Sequence, residues 1–90
     1  MSDPLARVRA VVVSWNSAGH VGRAVASVPA PARVVVVDNA SSDGSADEAE
    51  RAGAVVLRLP SNAGFGPACN LGAGRVDGLP DPEALLFLNP

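Results

Sequence analysis

Apolar positions gather in four short blocks: VRAVVVS (8–14), RVVVVD (33–38), AVVLRL (54–59) and ALLFL (84–88). The first three are dense in β-branched residues, and none of the four alternates strictly between apolar and polar. Continuous runs of this length predict strands covered on both faces, which is the condition of a parallel sheet.

The stretches between the blocks have helical character. SAGHVGRAVASV (17–28) carries Val21, Ala24, Val25 and Val28 at helical spacing, with Ser17 as a start signal and Pro29 as a stop. DGSADEAERAG (43–53) opens on an acidic turn that complements its own helix dipole, and Gly53 suits a C-cap. GPACNLGAGRV (66–76) starts with Pro67 in its first turn, while Gly72 and Gly74 weaken it by about 1 kcal/mol each relative to Ala.

The predicted order is β-α-β-α-β-α-β. This alternation implies right-handed crossovers and an α/β fold with helices on the faces of a parallel sheet of about four strands. In such sheets ligands bind beyond the carboxyl ends of the strands. The loops expected there are SWNSAG, DNASSDGS and PSNAGFGPACN, with Asn89 following the fourth strand.

Each loop supports a functional and a structural reading. Asp38 and Asn39 present a carboxylate and a carboxamide, groups able to bind a base N–H or a ribose hydroxyl. The same run of Asp, Asn, Ser and Gly also suits a turn and a helix cap. Asp43 reads as a capping or loop-stabilising residue, since no partner base lies near it. Trp15 is either the wall of a pocket or a core indole at a strand end, and Asn16 can tie down its loop.

Several catalytic motifs are excluded. GFGPAC (64–69) has Cys at the sixth position of a G-x-G-x-x-G/A pattern and follows the third strand, so it is no dinucleotide fingerprint. His20 lacks companion ligands for a metal and is expected in solvent. Cys69 lacks a histidine partner and is expected to be a buried structural thiol. There is no G-x-S-x-G elbow and no G-x-x-x-x-G-K-[ST] phosphate loop.

Composition narrows the classes further. Ninety residues allow one domain at most, and the 48% apolar content fits a packed core. The net charge is −2, and scattered arginines form no basic stripe for nucleic acid. The absence of Lys argues against a phosphoacceptor domain, although a small non-catalytic nucleotide-binding or interaction module stays as an alternative. A single cysteine makes a reducing, cytoplasmic setting the expectation. No run approaches the ~20 apolar residues of a membrane span.

Taken together, VVVSWNSAG, VVVVDNASSDGS, NAGFGPACNLG and LLFLNP, in this order, resemble the start of a family 2 glycosyltransferase, in particular the rhamnosyltransferase-like bacterial group. The resemblance runs from about Arg9 to Pro90. It implies the Rossmann-like, nucleotide-binding half of a GT-A fold, with residues 1–90 an incomplete N-terminal part of the glycosyltransferase domain. A nucleotide-sugar donor would meet Ser14, Trp15 and Asn16 in the first loop and Asp38 with Asn39 in the second. Gly64 and Asn70 match the third-loop pattern.

The resemblance also sets expectations beyond these loops. Many members carry two successive acids where this chain has Asp38-Asn39; a uridine or thymidine diphosphate sugar is preferred here over a guanosine one. The acceptor would be a cell-envelope glycan or lipid-linked sugar, reached from the cytoplasm or the inner face of the membrane. A divalent cation, Mg or Mn, would bind at the Asn-Pro-Asp motif, of which Asn89-Pro90 are the first two positions and Asp the expected residue 91. Catalytic residues are expected outside this chain, so the 90 residues alone are expected to be inactive, and ALLFL is expected to form an uncovered edge.

Overall fold

The computed structural model describes residues 3–90. A short 3-10 turn (Pro4–Arg7) leads into β1 (Val8–Ser14), followed by α1 (Val21–Ala26), β2 (Arg33–Asp38), α2 (Ser45–Arg51), β3 (Val55–Arg58), α3 (Phe65–Ala73) and β4 (Ala84–Leu88). The four strands form one parallel sheet in the order β3-β2-β1-β4. The chain therefore winds outward from β1 through β2 to β3, then crosses back to place β4 on the other side of β1.

The valine runs of β1 and β2 divide by alternation between two cores, as the pleat requires. Val12 and Val36 pack with Val21, Val25 and Ala49 of α1 and α2. Val35 and Val37 pack on the opposite face with Ala68 of α3 and with Val76. Covering on both faces thus holds for β1 and β2. It fails for β3 and β4: Val55 is exposed, as are Leu85, Leu86 and Phe87, because β3 and β4 are the sheet edges and the three helices sit over the centre.

All three helices are shorter than their patterns predict. The carbonyl of Ser17 accepts from the N–H groups of His20 and Val21, so a turn occupies 18–20 and α1 proper begins at Val21. In α2 the N–H of Gly53 donates to Glu50 and that of Ala54 to Ala49, with Gly53 at φ 104°. That is a Schellman ending, and it needs the glycine predicted there.

At α3 the closest approach of helix and sheet explains a costly residue. A Cβ on Gly72 would lie 2.5 Å from Val11 Cγ1 and 3.0 Å from Val37 Cγ2. The helix then stops at Gly74, earlier than the predicted 76. Its last turn is held by Arg9, a buried cation in β1. The Arg9 guanidinium donates to the carbonyls of Gly72 at 3.0 Å, Gly74 at 2.6 Å and Pro80 at 3.0 Å. A cation at a helix C-terminus suits the dipole, and three carbonyls satisfy the donors that burial removes from water.

Candidate functional site

The strand order reverses between β1 and β4, and the crevice outside the carboxyl ends at such a switch point is where open α/β sheets hold ligands. Ser14 ends β1, Asp38 ends β2, and the two are register partners on adjacent strands. Alternation puts both side chains on the α1/α2 face. Ser14 is fully buried and Asp38 is 3% exposed. Asp38 Oδ2 accepts from the Ser41 N–H at 3.0 Å. Among the described residues, Ser14 Oγ and Asp38 Oδ1 are the buried side-chain polar atoms with no hydrogen-bond partner.

The loops beyond these two residues are stitched together. Asn16 N–H donates to Ser41 Oγ at 2.8 Å, and Ser42 N–H returns a bond to Asn16 Oδ1 at 2.9 Å. Ser17 N–H donates to Ser45 Oγ, and Ala18 N–H to Asp43 Oδ2. Glu48 takes Gly19 N–H on Oε1 and Gly22 N–H on Oε2, each at 2.8 Å. Asp43 and Glu48 therefore serve the amides leading into α1, and Asp43 also takes the Ser45 amide that opens α2.

Their electrostatics follow from these bonds. The Ser45 hydroxyl, then the Ala18 amide, holds the Asp43 carboxyl below its ordinary range. The Gly19 amide, then that of Gly22, does the same for Glu48. At the end of β3, Arg58 pairs with Asp47 first and Glu50 second, and these bonds hold its guanidinium above its usual value.

Asn39 works on the opposite face. Its Oδ1 accepts from Ala63 N–H at 3.0 Å and its Nδ2 donates to the Gly64 carbonyl at 3.1 Å, with the side chain buried. Its backbone N–H meets the Ser14 carbonyl at 2.8 Å. Asn39 thus fixes the third loop, and with it the start of α3, against the end of β2. Gly64 stands at φ 84° immediately before the helix, a conformation that suits glycine.

Between α3, β1 and β4 lies a cavity of about 180 Å³ lined by Val11, Val13, Phe65, Cys69, Phe87, Leu88 and Asn89. Cys69 is half-buried on its wall, not enclosed as expected, because β4 leaves this flank open. Phe65 is 62% exposed at the first position of α3. A separate cavity of about 210 Å³, lined in part by Val25, Val28 and Arg33, lies at the opposite end of the sheet, away from these loops.

The profile described as Glycosyl transferase family 2 matches residues 10–89. The chain belongs to this family. A comparison with curated proteins found no match. The parallel four-strand α/β, Rossmann-like sheet is consistent with the N-terminal half of a GT-A fold, and the family implies a nucleotide-sugar donor and an acceptor. Among the described residues no helix is long and apolar enough to cross a membrane.

In this family context the sequence-derived candidates separate by surroundings. Ser14 and Asp38 come together in a buried pair. Asn16 is spent on the second loop and Asn39 on the third, so both carboxamides act on protein backbone. Trp15 is 59% exposed, which removes the core-indole reading. Asn70 is exposed on α3, and His20 is exposed as expected.

Asn89 is also exposed, and its neighbours around the cavity are Phe65, Cys69, Phe87 and Leu88. Hard divalent cations want several oxygen ligands. Among the described residues no three of His, Cys, Asp and Glu assemble as a metal-holding group. These residues do not by themselves fit the cation that the resemblance implies, and no chemical step is assigned to one. Sequence reasoning also missed Glu48 and Arg9. The acidic turn of 43–53 was the signal for Glu48; Arg9 left none, because its three carbonyl partners come together only on folding.

Proposed function

We propose that this chain is the donor-binding part of a larger family 2 glycosyltransferase domain, of the rhamnosyltransferase-like bacterial type. It takes a nucleoside diphosphate sugar, uridine or thymidine in preference to guanosine. The acceptor is a glycan or lipid-linked sugar of the cell envelope, reached from the cytoplasmic side. The divalent cation belongs in this reading to the larger enzyme and not to residues 3–90.

The observation that carries the proposal is Asp38 Oδ1, a buried carboxylate oxygen without a donor at the end of β2, in a chain whose family handles nucleotide sugars. A buried acceptor left unpaired costs about 1–3 kcal/mol, and a base N–H or a ribose hydroxyl relieves that cost. Ser14 Oγ beside it can donate or accept. No other class of ligand is favoured by a specific observation.

Titration calorimetry with UDP, dTDP and GDP tests the reading. UDP or dTDP is expected to bind more tightly than GDP. Asp38→Asn keeps an oxygen for the Ser41 amide but puts an NH₂ where the unpaired oxygen stood. It is expected to weaken binding by about tenfold, the equivalent of one modest hydrogen bond. Absence of binding by all three nucleotides would overturn the proposal.

A further inference from the structure

Asp38 and Ser14 are buried, so a ligand cannot reach their unpaired oxygens while the loops beyond them stay as they are. The two non-glycine residues at positive φ among the described residues are Asn16, at 48°, and Ala40, at 61°. Each stands two positions past a buried strand-end residue, Asn16 past Ser14 and Ala40 past Asp38. Left-handed backbone is unfavourable for Ala, and such strain collects at clamps and switch segments.

Two opposing effects act on these loops. The bonds from residues 16–22 to Ser41, Ser42, Asp43, Ser45 and Glu48 hold the loops together. The αL strain and the two unpaired buried oxygens favour their separation, because parting relaxes the backbone and readmits water. An element balanced in this way responds to a modest ligand.

We propose that the first and second loops form a clasp, hinged at Asn16 and Ala40 and latched by Asp43 and Glu48, which parts to admit a ligand's N–H or O–H donor to Asp38. Identifying that ligand as a nucleotide rests on the proposed function above. The clasp itself does not, and its movement is measurable in the 90-residue chain alone. Trp15, the single tryptophan, sits on the moving loop and reports on it.

Carbodiimide labelling of Asp38, read by peptide mass spectrometry, measures how often the clasp is open. In Glu48→Gln an NH₂ replaces one acceptor of the latch. Asp38 labelling and exchange of the Gly19 and Gly22 amides are expected to speed up roughly fivefold, the scale of one modest hydrogen bond. Exchange in the centres of β1 and β2 should stay unchanged. Ala40→Gly removes αL strain from the closed form and is expected to slow labelling by about fivefold.

Opposite shifts in the two variants support the clasp. Equal Asp38 labelling in wild type and both variants overturns it, as does slowing in Glu48→Gln or acceleration in Ala40→Gly. If Glu48→Gln fails to fold, Ala40→Gly decides alone: slower labelling supports, anything else overturns. Stopped-flow Trp15 fluorescence with UDP then separates the two readings. An on-rate that rises in Glu48→Gln and falls in Ala40→Gly supports the clasp as the gate, and equal on-rates overturn that role. If UDP does not bind at all, the nucleotide assignment fails while the labelling result still decides the clasp.

Discussion

At the scale of single residues, Asp38 and Asn39 show how neighbours in sequence are given different tasks by the pleat. Asp38 turns toward α1 and α2 with one oxygen uncommitted; Asn39 turns toward α3 and uses both ends of its amide on Ala63 and Gly64. The sequence alone made them a pair able to face a ligand together. Only the three-dimensional placement of the third loop shows that Asn39 has to donate as well as accept. This gives a physical reason for Asn, and not a second acid, at position 39. Asn39→Asp would keep the bond from Ala63 N–H but set a buried carboxylate oxygen against the Gly64 carbonyl. It is expected to destabilise the chain by about 1–3 kcal/mol, the usual cost of breaking a buried hydrogen bond and leaving its groups opposed. A lower urea midpoint with an unchanged slope is the expected result, and an unchanged midpoint would show that the third loop does not depend on this amide.

At the scale of elements, the valine-rich strands and the three helices were legible because periodicity and punctuation agree: Pro29 and Gly53 stop α1 and α2 close to where their patterns end. What periodicity did not convey is contact between elements. The acids of 43–48 read as partners of their own helix dipole, yet Glu48 reaches the amides of Gly19 and Gly22, whose position is set by the turn before α1. Ala40 carries no sequence signal for a left-handed backbone at all. Gly72 read as a weak point of α3, whereas its missing side chain is what lets the helix sit on Val11 and Val37. The competing terms decide the effect of Gly72→Ala. Helix propensity favours Ala by about 1 kcal/mol, while overpacking in a filled core costs typically about 1–3 kcal/mol. A contact of 2.5 Å to a fully buried strand valine belongs in the upper part of that range. Net destabilisation of about 1–2 kcal/mol is therefore expected in urea unfolding. A stabilised variant would mean that α3 lifts from the sheet at little cost.

For the whole molecule, the consequence lies at β4. This strand pairs with β1 on one side, and no strand among the described residues pairs with its other side. Leu85, Leu86 and Phe87 are 42%, 45% and 48% exposed. An apolar, unpaired edge is a template for another chain. Magnitude decides how strong the association is. Covering the exposed halves of three such side chains contributes about 3 kcal/mol in all, since full burial of one is worth about 1.5–3 kcal/mol. Bringing two molecules together costs an estimated ~4–15 kcal/mol in lost freedom. Side-chain burial alone therefore does not hold a pair, and a backbone ladder along five residues has to supply the remainder. The expected outcome is weak, concentration-dependent association of the 90-residue chain, visible by sedimentation velocity at high concentration and absent on dilution. Leu86→Lys puts a charge on the edge without touching the buried valines, and it is expected to abolish that association while leaving the urea midpoint of the monomer nearly unchanged. A wild-type chain that stays monomeric at every concentration would show that β4 is not an available edge, and a Leu86→Lys chain that still associates would move the contact to another surface.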